Sequence, residues 1–333
     1  MKDTIHLAFD LEGSHLSYNV GDCLGIYPIN PKELVDKTLQ GVGFTGQEEI
    51  TDKRSGEKTT LFNYLTYKAS ITSFSRKLLS ELAGEVVNPK EMQENYEVWD
   101  LFKAYKNPYD AQMFADRLMP LLPRLYSISS SQNAHPNEVH LTIHHLIYET
   151  RGHTRKGVCT HYLAEVAPLN EPIIPIYMHP HKGFTIPQNP ATPIIMVGPG
   201  TGVAPYRGFL EERKLQNAKE NWLFFGEWHK NTEFFYENEF SELVTQGFLK
   251  LDTAFSRDQS EKIYVQHRLI EKGVEVMSWL ERGAIFYVCG DMHHMAKDVD
   301  KALHDIVRLY SSHDPDEYVK SLKHNGRYLR DVY

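Results

Sequence analysis

The spacing of apolar positions divides the chain into stretches with different predicted structure. Near the start, apolar and polar residues alternate over 5–9, which predicts a β-strand, and 23–28 is a second short strand. Between about 31 and 120 the apolar residues instead recur at helical spacing, as at Leu61, Tyr64 and Leu65. We interpret this stretch as mainly helical and inserted between strands, because strands resume after Pro123, at 139–143 and 173–178.

After a proline-rich link at 187–193, strands and helices alternate regularly. The pattern predicts strands at 194–197, 222–225, 249–254 and 285–289, and helices at 206–215, 235–244, 265–271 and 292–309, with a further helix and a strand at the end. Such alternation is typical of a parallel sheet with helices on both faces, in which ligands bind at the carboxyl ends of the strands.

Composition and charge narrow the class of protein. At about 150 residues per domain, 333 residues predict two or three domains. No apolar run approaches the roughly 20 residues of a membrane span, and the start lacks the pattern of a signal peptide. A net charge of −8 argues against a general nucleic-acid binder. Three cysteines without a CxxC pair exclude a disulfide scaffold and favour the reducing cytoplasm.

The strongest chemical signal is the glycine-rich segment 198–205, which follows an apolar strand and precedes a helix. Glycines let the backbone approach a pyrophosphate, whose charge then faces the amides of a helix N-terminus. Glycine also simply makes turns, so the segment indicates nucleotide binding only because of its place between strand and helix.

A second signal is Ser256-Arg257, just past a predicted strand, with Lys262 and Tyr264 close behind. Two cations with a hydroxyl suit a phosphate monoester, which at the rim of a dinucleotide site means the 2′-phosphate of NADP. Without the glycine-rich segment, a solvated charged loop would be the simpler interpretation.

Two weaker signals lie elsewhere in the chain. Arg124 and Tyr126 begin a strand, and Gly157 opens a short helix whose free amides could hold phosphate, although ordinary barrel strands would explain the same pattern. Cys289-Gly290-Asp291 closes a strand, and the sequence ends in a strand with Tyr333.

Histidine pairs, at His144-His145, His179-x-His181 and His293-His294, raise the question of a metal site. No convergent third ligand is evident, and 17 histidines make such pairs common, so we predict no metal. Neither GxSxG nor HExxH occurs, which leaves hydrolase chemistry without support.

Taken together and in this order, these motifs resemble the ferredoxin–NADP reductase superfamily. Within it they are most similar to the reductase half of diflavin enzymes such as the sulfite reductase flavoproteins. The resemblance covers essentially the whole chain and is carried by 124–128, 198–205, 221–226, 256–259, 287–291 and 330–333. It implies an antiparallel FAD-binding β-barrel (1–30 and 121–188), a helical connecting insert (31–120) and a doubly wound NADP-binding α/β domain (189–333).

The resemblance also implies functional residues. FAD contacts fall at Thr72, Arg124, Leu125, Tyr126, Ser127, Thr142, Ile143, His144, Tyr148, Gly157, Val158, Cys159 and Thr160, and Tyr333 covers one flavin face until nicotinamide displaces it. NADP contacts fall at Thr201, Ser256, Arg257, Lys262, Ile263, Tyr264, Val265, Gln266 and Asp298. The polar cluster around hydride transfer is Ser127, Cys289 and Asp331.

The expected function is therefore hydride transfer from NADPH to FAD, with electrons passed to a separate FMN or flavodoxin-type protein, ferredoxin or haemoprotein subunit. Diflavin enzymes carry an FMN-binding domain upstream, and because this sequence contains none, we expect no FMN site in this chain. The match also begins one barrel strand late, so that either the start is trimmed or the edge of the barrel differs. His144 is bulkier than the residue usual at its position. The alternative is a non-redox binding or assembly subunit that retains the fold.

Overall fold

The computed structural model describes residues 3–84, 88–171 and 173–333. The strands are β1 (Thr4–Asp10), β2 (Cys23–Ile26), β3 (Glu49–Thr51), β4 (Lys58–Thr60), β5 (Arg124–Ser127), β6 (Glu138–His144), β7 (Ile147–Thr150), β8 (His153–Lys156), β9 (Ile176–His179), β10 (Ile194–Val197), β11 (Asn221–Glu227), β12 (Lys250–Phe255), β13 (Ile285–Gly290) and β14 (Tyr328–Val332).

The α-helices are α1 (Lys32–Val42), α2 (Leu61–Tyr67), α3 (Arg76–Ala83), α4 (Pro89–Asn95), α5 (Val98–Ala104), α6 (Ala111–Ala115), α7 (Val158–His161), α8 (Ala204–Leu215), α9 (Lys230–Glu233), α10 (Glu237–Thr245), α11 (Val265–Glu271), α12 (Gly273–Glu281), α13 (Met295–Tyr310) and α14 (Pro315–His324). A π-helix spans Tyr162–Val166 and a 3₁₀-helix spans Gly200–Val203.

The chain divides into two compact units. The first comprises residues 1–24, 125–144 and 177–333, and the second comprises residues 25–124 and 145–176. Both units are built from separate stretches of sequence, so each brings together residues that are far apart along the chain.

A five-stranded parallel sheet, in the order β12-β11-β10-β13-β14, organises the first unit. Along the central strand β10, Ile195 and Val197 pack into one buried cluster, whereas Ile194 and Met196 pack into the other. Both faces of a parallel sheet are covered by helices, which explains why β10 is apolar throughout and not alternating. The predicted doubly wound sheet is confirmed.

The antiparallel part consists of shorter sheets. Strand β1 pairs with β6 over its whole length, from Thr4 opposite His144 to Asp10 opposite Glu138. Strands β5, β2 and β9 form a three-stranded sheet in that order. Within the first unit, a bridge from Ile128 to Leu141 links the residue after β5 to β6.

The second unit has a helical core of its own. Helices α1 to α6 bury one apolar cluster, which includes Val35, Leu65, Leu101 and Phe114. Side chains of Thr60, Ser75, Asn88 and Asp110 accept hydrogen bonds from the first-turn amides of α2, α3, α4 and α6, which satisfies donors that a helix start leaves free.

A buried ionic network ties the β7–β8 hairpin to α5 within the second unit. The Arg155 guanidinium donates to Glu97 and Asp100 at 2.5 Å each, and Glu97 also accepts from the Trp99 indole at 2.7 Å. All three charged side chains are buried, and burial raises the pKa of Glu97. Buried charges of this kind are tolerated only because they are paired.

The sequence-based element predictions are confirmed in most of the parallel sheet, with β10 at the predicted residues. Helix α13 begins at Met295 and not at 292, because the Asp291 carboxylate accepts from the amides of His293, His294 and Met295. Helix α12 and the β3–β4 and β7–β8 hairpins were not predicted.

Replacement of Arg155 by Met should leave Glu97 and Asp100 buried without their cation. We expect the free energy of unfolding to fall by about 3–5 kcal/mol, measured by urea denaturation followed by circular dichroism. The matched control is Lys58→Met, which removes an exposed pair with Glu49 and should leave stability unchanged. Equal effects of the two substitutions would contradict this account.

Candidate functional site

The glycine-rich turn after β10 packs directly on the end of β13. A Cβ added to Gly202 would lie 2.2 Å from the Cys289 carbonyl oxygen, and one added to Gly198 would lie 2.5 Å from the Gly202 carbonyl oxygen. Gly200 has a φ of +60°. Both close approaches therefore require glycine, and they fix the turn against the strand end.

The turn continues through the 3₁₀-helix into α8. The first backbone amides of a helix have no acceptor within the helix and are available to a ligand. The Thr201 hydroxyl lies here, 3.2 Å from the Tyr333 hydroxyl. Glu227, which is distant from the turn in sequence, lies beside it in the fold. A Cβ added to Gly200 would lie 3.2 Å from Glu227 Oε1. Free amides and a hydroxyl at such a turn suit a pyrophosphate.

A polar cluster lies at the carboxyl ends of β13 and β14. The two strands place Cys289 opposite Asp331. Ser127 Oγ donates to Asp331 Oδ2 at 2.6 Å, and Cys289 Sγ lies 3.7 Å from the same oxygen. The structure thus brings together the three residues expected at the hydride-transfer centre.

The thiols near this cluster are uncharged at neutral pH. Burial, followed by the negative charge of Asp331, raises the pKa of Cys289 well above its ordinary value. The same causes raise the pKa of Cys23 to about 12. The cluster therefore contains neutral thiols that act as weak donors and are not nucleophiles.

His181 joins the cluster without having been predicted there. Its Nε2 lies 3.7 Å from Asp331 Oδ1, and its backbone amide donates to Asp22 Oδ1 at 3.0 Å. The sequence singled out His181 only as a possible metal ligand. Its position beside Asp331 depends on the fold of the loop after β9, for which the sequence has no signal.

The C-terminal Tyr333 is held by its backbone. Its amide donates to the Gly290 carbonyl at 3.2 Å, and its own carbonyl accepts from Met292 at 3.1 Å. The residue is nevertheless 60% exposed. A fixed backbone and an exposed ring suit a residue that covers a planar ligand.

Ser256 and Arg257 follow β12 and are aligned by the end of β11. Their amides donate to the carbonyls of Glu227 and Trp228 at 2.8 and 2.9 Å. The Arg257 guanidinium lies 3.5 Å above the centre of the Trp228 ring. Stacking on an aromatic ring leaves the edge of a guanidinium able to bind an anion.

Of the two acids in this loop, Asp258 and Glu261, Asp258 is bonded to residues outside the loop. It accepts from the Lys230 amide and contacts His229 Nδ1, each at 2.9 Å, and these bonds hold its pKa below the ordinary value. Lys262 is exposed. The loop thus offers cations whose charge is not cancelled by the neighbouring carboxylate.

The remaining predicted NADP contacts differ in accessibility. Tyr264 precedes α11 with an exposed side chain, and Ile263 is half-buried. Gln266 donates to Asp298 at 3.2 Å, so the structure brings these two together. The Val265 side chain packs in the core, so only its backbone is available to a ligand.

Strand β6 and the residues after Arg124 contain further predicted FAD contacts. The Thr142 hydroxyl lies 2.5 Å from that of Tyr236, Ile143 is buried, and His144 Nδ1 lies 3.0 Å from the Asp3 carbonyl. Leu125 is exposed and Tyr126 half-buried. The side chains of Thr142 and Ile143 are therefore turned to protein and not to a ligand.

In the second unit, Gly157 forms a tight turn before α7. A Cβ on it would lie 2.6 Å from Thr160 Oγ1. That hydroxyl donates to the Gly157 carbonyl and accepts from the Leu146 amide, each at 3.2 Å. Val158 and Cys159 are buried. The turn presents backbone amides, which fits a phosphate.

The other predicted residues of the second unit are accessible. Arg124 donates to the Leu122 carbonyl at 2.9 Å and forms no ion pair with any described residue. Tyr148 is 44% exposed on β7, opposite Arg155. Thr72 is half-buried.

Two family descriptions match the chain. "FAD binding domain" matches residues 1–97 and 89–162, and "Oxidoreductase NAD-binding domain" matches residues 196–301. The chain thus contains an FAD-binding and an NAD-binding domain of the ferredoxin–NADP reductase type. The predicted family and the expected pair of cofactor-binding domains are thereby confirmed.

Curated relatives of this chain include proteins named "Sulfite reductase [NADPH] flavoprotein alpha-component". Those from Bacillus subtilis and Shewanella oneidensis are each 40% identical, and the one from Vibrio cholerae is 38% identical, in every case over the whole of this chain. The chain spans 58%, 58% and 56% of their respective lengths. Among the described residues, no helix combines the length and apolar character needed to cross a bilayer.

Because Cys23, Cys159 and Cys289 are buried and form no disulfide, we expect none to react rapidly with Ellman's reagent in the native protein at pH 8. All three should react once guanidinium unfolds it. Ser260→Cys, at an exposed position, is the positive control and should react at once. A rapidly reacting native thiol would contradict the burial described above.

Proposed function

We propose that this chain is an FAD-dependent NADPH oxidoreductase that passes electrons to a separate acceptor protein. The observation that carries the proposal is the Ser127–Asp331–Cys289 cluster at the carboxyl ends of the parallel strands. This cluster adjoins a glycine-rich turn whose Gly202 packs on Cys289 itself. In open α/β sheets this edge is where nucleotides bind.

The residues of the first unit fit NADPH. The turn amides and Thr201 would hold the pyrophosphate, and Ser256, Arg257 and Lys262 would hold the 2′-phosphate. A guanidinium stacked on Trp228 is pre-oriented, so little side-chain freedom is lost when it binds an anion. Gln266 and Asp298, already bonded to each other, would contact the same nucleotide.

Other residues fit FAD. The Gly157 turn supplies backbone amides for phosphate, and Arg124 supplies a guanidinium that no described carboxylate neutralises. Tyr148 has an accessible aromatic face. When bound, FAD would supply the acceptor for the hydride that leaves C4 of the nicotinamide. The protein's contribution is to hold the reacting groups and set the charge around them.

The cluster residues have distinct tasks in this proposal. Ser127 donates its only hydroxyl proton to Asp331, so its oxygen faces a ligand as an acceptor. Asp331 fixes the orientation of that hydroxyl and places a carboxylate where nicotinamide gains positive charge. Cys289 stays a neutral thiol, so it does not act as a nucleophile toward the bound cofactors.

The names of the relatives indicate a class of electron-acceptor protein. They are called components of sulfite reductase, so we propose that electrons pass to an FMN or flavodoxin-type protein, a ferredoxin or a haemoprotein subunit. The chain has no cysteine motif for an iron–sulfur cluster, so sulfite reduction would occur on that partner. None of the three cysteines forms a disulfide, which agrees with function in the cytoplasm.

The first test is Arg257→Ala combined with Lys262→Ala. Loss of two charge-assisted contacts to the 2′-phosphate should raise the NADPH concentration needed for half-maximal flavin bleaching about 100-fold, with little change for NADH. The measurement is anaerobic stopped-flow mixing of FAD-supplemented protein with each nucleotide. The control, Lys301→Ala with Arg308→Ala, removes an exposed cation pair from α13 and should change neither.

If the double substitution raised the concentration needed for half-maximal bleaching equally for NADPH and NADH, Arg257 and Lys262 would not bind the 2′-phosphate. In the unsubstituted protein, FAD that binds but is not bleached by NADPH would favour the alternative, a binding or assembly subunit that kept the fold.

A second test concerns Tyr333, whose ring is proposed to cover one face of the flavin. Tyr333→Ala should raise the ratio of NADH to NADPH efficiency by about tenfold, because nicotinamide no longer displaces a stacked ring. Tyr333→Phe keeps the ring, loses only the contact with Thr201, and should behave like the parent protein. An unchanged ratio in Tyr333→Ala would exclude this role.

A further inference from the structure

Three potential metal ligands meet in the second unit, outside the residues proposed to bind FAD and NADPH. His145, His161 and Glu165, called here the His–His–Glu cluster, place one ligand atom each within 4.8 Å of one another. His145 Nε2 lies 3.5 Å from Glu165 Oε1, and His161 Nδ1 lies 3.5 Å from Glu165 Oε2. Two ligand atoms on a tetrahedral zinc, at bond lengths of about 2.0–2.1 Å, are separated by a similar distance.

The two imidazoles are pre-aligned for a common partner. Their rings are parallel within 7°, with centres 5.9 Å apart. His145 is only 3% exposed, and the buried Nδ1 of His161 makes no hydrogen bond to any described residue. A buried ring nitrogen without a hydrogen bond is costly unless something else satisfies it.

The local fold explains the convergence. His161 is the last residue of α7, and Glu165 lies four residues later in the π-helix Tyr162–Val166. Single π-turns inside helices are frequent at functional sites. His145 precedes β7, whose partner β8 leads into α7, so the cluster joins the two stems of the β7–β8 hairpin.

We propose that the His–His–Glu cluster binds one Zn²⁺ ion. Two imidazole nitrogens and one carboxylate oxygen form a common three-residue zinc ligand set, with a fourth position left for water. Glu165 is exposed, which gives the ion a route from solvent. Bound there, the metal would link the two ends of the β7–β8 hairpin immediately beside the Gly157 turn.

The charges around the His–His–Glu cluster influence its affinity for a metal ion. Lys156 Nζ lies 2.8 Å from Glu165 Oε2, so the metal must use the other oxygen, Oε1, and it meets one repelling cation.

A second group, His135, Glu138 and His140 in the first unit, is a poorer candidate. There His140 Nε2 is hydrogen-bonded to Glu138 at 2.8 Å, and Nδ1 faces the Arg207 guanidinium at 3.2 Å. Both nitrogens of His140 are occupied, and Arg207 is a permanent cation. This group therefore serves as a matched control.

The test is calorimetric titration of the full chain, freed of metal with a chelator, with zinc chloride alone. We expect one equivalent to bind. His161→Gln and Glu165→Gln, which are less buried than His145, should each weaken binding about 100-fold or more, since even outer partners of zinc ligands contribute 10–100-fold. Lys156→Gln should strengthen binding. His135→Gln with His140→Gln should leave it unchanged.

Thermal unfolding provides a second readout, because zinc should raise the melting temperature of the parent chain but not of His161→Gln. The proposal is overturned if no one-to-one binding occurs, if His161→Gln and Glu165→Gln bind like the parent chain, or if the control double variant loses the ion instead. None of these outcomes depends on the proposed reductase activity.

Discussion

Contact between the backbones of Gly202 and Cys289 is the constraint on which the proposed site depends. A side chain at residue 202 would occupy the space of the Cys289 carbonyl oxygen, 2.2 Å away. The turn proposed to hold phosphate and the strand end that carries the polar cluster are therefore one rigid piece. Because both features are fixed by backbone, their spacing does not depend on flexible side chains.

The last strand completes this arrangement by register. Parallel pairing of β13 with β14 sets Asp331 beside Cys289 and carries the chain on to Tyr333. The carboxylate then stands next to thiols whose pKa values are raised by burial. Asp331 therefore places a negative charge at a defined position, and its carboxylate fixes the orientation of the Ser127 hydroxyl that donates to it.

The sequence predicts the parts of this structure that depend on local pattern. Strand β10 is found at the predicted residues because it is buried on both faces and therefore uniformly apolar. Helix α12 is missed because it follows α11 at Gly273, a residue that ordinarily interrupts helices. A Cβ at residue 273 would lie 2.2 Å from the Tyr310 ring, so that ring would have to move to admit a larger residue.

Side-chain partners in the candidate site could not be predicted for a different reason. Neighbours in sequence rarely share a partner on extended chain, because successive side chains point to opposite sides. His144 and His145 illustrate this: the first contacts the Asp3 carbonyl, whereas the second meets His161 and Glu165. Likewise, Trp228 under Arg257 and His181 beside Asp331 come from other strands or loops. Adjacent histidines are thus a poor guide to metal sites, and convergence in the fold is the better one.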